Sequence, residues 1–151
     1  MDADGHIIGT WVKPTGEKTV ATGGKARYRP REQTTELWDF PRLTHWDTIQ
    51  DTAPMVVTAE RFIAHHDTQM LFARQKVTIQ RGNDFKSQSD EAQFDQKLRV
   101  IHLWGKRQTV IDWKDRQGSG HFLSDRALLF MSPKRARLID HVTGHVIPGA
   151  S

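Results

Sequence analysis

A six-residue pattern recurs four times along this 151-residue chain and constrains its fold more than any other feature. The copies are Gly23-Gly24-Lys25-Ala26-Arg27-Tyr28, Ala59-Glu60-Arg61-Phe62-Ile63-Ala64, Ser89-Asp90-Glu91-Ala92-Gln93-Phe94 and Ser124-Asp125-Arg126-Ala127-Leu128-Leu129. Each runs small, acidic or Gly, charged, apolar, variable, apolar. The fourth positions, residues 26, 62, 92 and 127, stand 36, 30 and 35 residues apart, a period expected of stacked supersecondary units. Proteins of that kind usually work through a surface or a trough.

Between the copies the sequence reads as strand and turn. Lys76-Val77-Thr78-Ile79-Gln80 alternates, Arg81-Gly82-Asn83-Asp84 supplies a turn, and Phe85-Lys86-Ser87-Gln88-Ser89 alternates again. Thr109-Val110-Ile111-Asp112-Trp113 repeats the scheme, with residues 114–120 as a polar loop and His121-Phe122-Leu123-Ser124 as the next strand. Residues 91–104 and 127–142 also fit amphipathic helices by spacing alone. Pro133 inside the second, and Pro30 and Pro41 in equivalent stretches, weigh against that. The expectation is therefore an all-β chain in which the repeated pattern marks a corner.

Alternation then assigns faces. Val57, Ala59, Phe62, Ala64, Leu71, Ala73, Val77 and Ile79 are expected on one interior face, with Ala92, Phe94, Ile101, Leu103 and Val110 as their counterparts in the next unit. Glu60, Arg61, Lys76, Thr78 and Gln80 fall on the solvated side. Stacked units would give two facing sheets with an apolar interior. The chain reads as a single domain, 1–151, with a lead-in of about 1–19 containing a short strand at 7–12, repeats over about 20–147, and a polar tail. Open sheets of this kind leave edges that invite pairing with another chain.

Composition removes several functions. There is no Cys, so disulfides and thiolate chemistry are excluded. Lys plus Arg number 22 against 18 Asp plus Glu, a net +4 that mildly favours an anionic partner. The basic residues are scattered, and the local cluster Lys134-Arg135-Ala136-Arg137 reads as a solvated face, so nucleic acid is not expected. No run approaches a membrane span, and Met1-Asp2-Ala3-Asp4-Gly5 is not a signal peptide.

Chemical sites fare poorly against their structural explanations. His65 and His66 should point to opposite faces of a strand, and His141 and His145 enclose Thr143-Gly144 without the acid of a zincin helix, so no metal is expected. Asp90, Glu91 and Asp125 recur at equivalent corners, which is what a structural repeat produces rather than a glycosidase pair. Trp38, Trp46, Trp104 and Trp113 read as packing residues. No cofactor and no catalytic residue is expected.

The copies Ala59-Glu60-Arg61-Phe62 and Ser89-Asp90-Glu91-Ala92-Gln93-Phe94, each followed by a β-rich stretch such as Ala73-Arg74-Gln75-Lys76-Val77-Thr78-Ile79 or Ile101-His102-Leu103-Trp104-Gly105-Lys106, resemble the OstA-like repeats of the lipopolysaccharide-transport family, LptA, LptC and the amino-terminal part of LptD. The likeness spans residues 20–147. Phe62 stands where the family pattern has Ala, Gly24 where it has an acid, and Ala73-Arg74-Gln75-Lys76 lacks the Gly that Gly105 retains. The resemblance implies a twisted open β-jellyroll in the periplasm that carries lipopolysaccharide acyl chains without enzymatic activity. It also implies end-to-end association with other such jellyrolls. On that reading Phe62, Ala64, Leu71, Val77, Ile79, Ala92, Phe94, Ile101, Leu103, Val110 and Leu129 would bind lipid, and Arg61, Arg74, Lys76, Arg107 and Arg126 would meet the head group at the rim. A self-assembling β-repeat without lipid is the alternative.

Overall fold

A computed structural model describes residues 2–47, 53–131 and 134–149. Pro133 and the terminal Ala150-Ser151, on which the sequence reading drew, lie outside the described residues. Among the described residues there are strands and turns but no helix. The strands are β1 (Asp2–Val12), β2 (Lys18–Arg29), β3 (Thr34–Trp38), β4 (Arg42–Trp46) and β5 (Met55–Thr58). Next come β6 (Arg61–His65), β7 (Met70–Arg81), β8 (Phe85–Asp95), β9 (Val100–Trp104) and β10 (Thr109–Asp115). The chain finishes with β11 (Gly118–Ser124), β12 (Arg126–Met131), β13 (Lys134–Ile139) and β14 (Thr143–Pro148). The lead-in strand is longer than its sequence suggested, because β1 pairs with β2 from Asp2 to Val12.

These strands form one 14-stranded antiparallel network that folds over on itself. Long strands bend and contribute to both layers. In β7, Met70 to Arg74 pair with β6 and Thr78 to Arg81 with β5, and the register to β8 shifts between Arg74 and Val77. Gln75 and Lys76 fill that bulge at φ of 66° and 53°. The first layer thus holds β3, β6, β9, β12 and β13 with the distal halves of β2 and β8 and the near half of β7. The second holds β4, β5, β10, β11 and β14 with the complementary halves.

Each repeated pattern sits on a corner, and its positions have separate physical tasks. At the first position Ser89 and Ser124 donate from Oγ to the carbonyls of Glu91 and Arg126, at 2.9 and 2.8 Å, bridging the bend. The second position is the apex. There the Asp90 carboxylate accepts the Arg107 backbone N–H at 2.9 Å and its guanidinium, and Glu60 pairs with Lys76 at 3.4 Å. Gly24 lies so close to the Asp39 carboxylate that a Cβ there would collide with it, which explains the missing acid in that copy. Third-position residues face outward: Arg61 pairs with Glu36, Glu91 with Arg74, and Arg126 with Asp140.

The fourth positions fall in one ladder row. Its members are Ala26, Leu37, Phe62, Ala73, Ala92, Leu103, Ala127 and Leu138, each opposite the next. Ala73, Ala92, Leu103 and Ala127 have no accessible surface. Small residues let the two layers meet closely beside the corner, and the large ones between them fill the seam to interior density. The sixth positions form the next row inward, where Ala64, Leu71, Phe94, Ile101 and Leu129 are consecutive partners. Here the layers have diverged. In the second layer the matching row runs Ala21, Leu43, Val57, Ile79, Ser87, Ile111 and Phe122.

Candidate functional site

Divergence of the layers away from the seam leaves two cavities of about 610 Å³ each. That volume lies within the range of ~300–1,000 Å³ typical of small-molecule sites. The first is walled by Leu43, Val57, Ala64, Met70, Leu71 and Phe94, with Trp11 and Val12 from β1. The second is walled by Ile79, Phe85, Ile111, Trp113, Phe122, Leu129, Phe130 and Leu138. Met55 and Ile101 line both and form the partition between them. Trp113 and Phe122 stack with centroids 5.2 Å apart and planes 5° from parallel. Gly120, opposite Trp113 in the ladder, makes room for the indole, since a Cβ there would overlap the ring.

The interior residues expected from the sequence divide into two groups. Ala64, Leu71, Ile79, Phe94, Ile101 and Leu129 line the cavities. Phe62, Val77, Ala92 and Leu103 are packed in the closed core, with at most 2 % of their surface accessible. Val110 is a correction: it lies opposite Gln88 and Leu123 on the outer face, and the buried Thr109 and Ile111 on either side of it point inward. A shift of one residue reverses the face of a strand position, and the ladder to β8 sets that parity.

The rim cations are a second correction. Arg61, Arg74, Lys76, Arg107 and Arg126 all stand along the corner edge, where the layers join, and each pairs with an acid there: Glu36, Glu91, Glu60, Asp90 and Asp140 respectively. They brace the seam, whereas the cavities open toward the turns at the other edge. The corner acids are engaged in the same way. Arg107 holds the Asp90 carboxyl below its usual range, chiefly through its backbone N–H, and the His141 ring 2.6 Å from Asp125 does the same there while its own pKa rises.

At the turn edge a different charged group comes together, and sequence reading missed it. Arg99, in the turn between β8 and β9, reaches across from the first layer to Glu17 at 3.0 Å and Asp47 at 4.0 Å. Arg81, at the end of β7, meets Asp47 at 3.1 Å. His45 lies between the two acids, its Nε2 3.1 Å from Glu17 and 3.3 Å from Asp47, while Nδ1 faces the Thr19 hydroxyl at 2.8 Å. Lys13 adds a further contact to Glu17 at 3.6 Å. Glu17, His45 and Arg99 line the first cavity, and Asp47 and Arg81 the second. Glu17, His45 and Asp47 have the donor set and spacing of a metal site, but Glu17 Oε1, the oxygen nearest His45, is already in contact with the Arg99 guanidinium. That donor set therefore has its counter-charge in place.

The other histidines are dispersed. His65 and His66 both border the first cavity, His66 at 2.7 Å from Thr35 Oγ1, because the strand ends at His65 and the alternation lapses. The His145 ring lies tilted beside that of His121, whose Nδ1 meets Asp112.

No family model matches this sequence, and no curated protein matches it. Solved structures do match its fold. One is the crystal structure of LptH, the LptA homologous periplasmic component of the conserved lipopolysaccharide transport device from Pseudomonas aeruginosa. The likeness has a TM-score of 0.69 at 7 % sequence identity and covers 86 % of this chain and 95 % of that one. The fold is thus an all-β jellyroll of the LptA kind.

Proposed function

We propose that this jellyroll is a non-enzymatic carrier in the periplasm. Its interior would hold the acyl chains of lipopolysaccharide or a related glycolipid and pass them toward the outer membrane. The observation that carries the reading is the pair of apolar cavities between the layers, beside a seam that is packed solid. A protein needing only a core would close both. Burying acyl chains there is favourable by ~0.8 kcal/mol per CH₂ before the costs of association. Sharing a fold with a periplasmic component of lipopolysaccharide transport supports the same cargo and compartment.

The chain would act as one jellyroll unit, joined to others through its end strands. β14 is exposed along its whole length, and Ile8 and Val12 on β1 and Val146 and Ile147 on β14, two of the edge strands, are each more than half accessible. This observation also favours the second reading, a self-assembling β-repeat without cargo.

Photo-crosslinking separates the two. A benzophenone amino acid at Leu71, Phe94 or Leu129 should label with lipopolysaccharide, and one at the outward Val110 should not. Equal labelling at Leu71 and Val110, or none at any position together with concentration-dependent filaments, would transfer the function to self-assembly.

A further inference from the structure

We propose that the charged group at the mouth is an anion-binding site. There Arg99 and Arg81 would exchange their carboxylate partners for the phosphate or carboxylate head group of an amphiphile whose chains enter the two flanking cavities. This rests on the reading of the interior as a lipid trough and adds to it the head-group chemistry and the residues that read it.

Position is the first argument. The group stands where the Met55 and Ile101 partition reaches the turn edge, with members on both cavities. A head group held here would place one chain on each side. Charge is the second. Among the described residues three cations, Lys13, Arg81 and Arg99, are in contact with two acids, Glu17 and Asp47. Asp95, which borders the same cavity, has one carboxylate oxygen committed to the backbone N–H groups of Lys97 and Leu98 at 3.0 and 2.9 Å. A planar guanidinium fork suits phosphate or carboxylate equally, in paired charge-assisted hydrogen bonds. Replacing one oxyanion by another therefore leaves no cation buried without a partner.

Backbone conformation is the third argument. Arg99 sits at φ of 56°, a left-handed position that favours Gly or Asn. The sister turns of the first layer place Gln33 and Gln69 there, at 50° and 56°. Of these three turns this one alone places a charged side chain there, and it reaches the opposite layer. The His45 ring, with Nε2 3.1 Å from Glu17 and 3.3 Å from Asp47, stays between the two acids once the arginines turn to the ligand.

The test compares dodecyl phosphate, dodecyl maltoside and inorganic phosphate, the amphiphiles below their micellar concentrations. Calorimetry on the full chain, as wild type and as Arg81→Gln/Arg99→Gln, reads the binding. Gln is already the residue at the matching turn position, and a thermal melt checks that the variant is folded. The wild type should bind dodecyl phosphate at least tenfold tighter than the maltoside, and the variant should lose that ratio with maltoside affinity unchanged within twofold. An equal fall for both detergents makes the arginines structural, and a rise for both makes the cluster a barrier; either overturns the proposal. Arginine-dependent binding of inorganic phosphate as tight as that of dodecyl phosphate would make it a site for free anions and overturn the amphiphile. If neither detergent binds the wild type, the trough reading itself falls.

Discussion

Replacing Leu103 by Ala tests the division between a packed seam and an open trough. Leu103 has no accessible surface and stands in the ladder between Ala92 and Ala127, equally buried. Neither neighbour has a side chain that can swing into the void, and the backbones on both sides are tied by strand pairing. Large-to-small core substitutions cost about 2–5 kcal/mol, more where the site cannot collapse, so about 4 kcal/mol is expected here. At ~2–4 °C per kcal/mol for a chain of this size, the melting temperature should fall by about 8–16 °C. Leu71→Ala one row inward is the control. Leu71 is partly exposed and already faces a cavity, so its loss removes apolar contact but encloses no new void, and about 1 kcal/mol is expected. Urea denaturation followed by tryptophan emission, with the midpoints compared at a common slope, measures both. Costs within about 0.5 kcal/mol of each other would refute the distinction, since both rows would then be equally packed.

Four further outcomes follow from the corners and the second cavity. Asp90→Ala should weaken the fold by about 1–2 kcal/mol at neutral pH through loss of the Arg107 contacts. The folded Asp90 pKa lies below its ordinary 3.8, so its stabilisation is present above that value and lost as pH falls through the folded one. The variant's melting temperature should accordingly fall less than the wild type's on acidification below pH 3.8. His141 is raised from 6.5 by Asp125, so its pairing holds at lower pH and is lost as pH rises through the raised value; proton NMR should show a titration above 6.5 that returns toward it in Asp125→Asn. Phe40 is 94 % exposed at φ of 58°, so Phe40→Gly should stabilise by about 1 kcal/mol in chemical denaturation by removing left-handed strain at no loss of packing. Gly120→Val should drive Trp113 off Phe122 and shift the indole emission to the red, with reduced capacity for any ligand of the second cavity.

The corner residues show why so much of the architecture was legible. A pattern of small, acidic, charged and apolar positions records, in consecutive residues, the bend, its brace, the outer face and the seam, because a strand alternates its faces with a fixed period. Phe62, Ala92 and Leu103 could thus be placed inside without knowledge of their partners. Val110 could not. Both it and Ile111 are β-branched and apolar, and nothing within β10 says which parity faces in; the ladder to Gln88 and Ser87 on β8 decides. Nor could the pattern say how far the layers diverge, so it did not separate Leu103 in the seam from Phe94 on the cavity wall.

Charge placement marks the deepest limit. Arg61 and Arg107 were expected at the rim because they are cations beside a repeated motif, yet that motif is the closed edge, where they meet acids of neighbouring strands. Arg99, Arg81, His45, Asp47 and Glu17 carry no shared spacing, since they come from different strand ends and turns, and turns lack the periodicity that marks strands. The sequence by itself determined the all-β repeat, the corners and the inward rows, all of which depend on contacts along the chain or across one ladder. The mouth, its ionic partners and the two cavities were decided only when the registers of many ladders brought Arg99 within 3.0 Å of Glu17, 82 residues away.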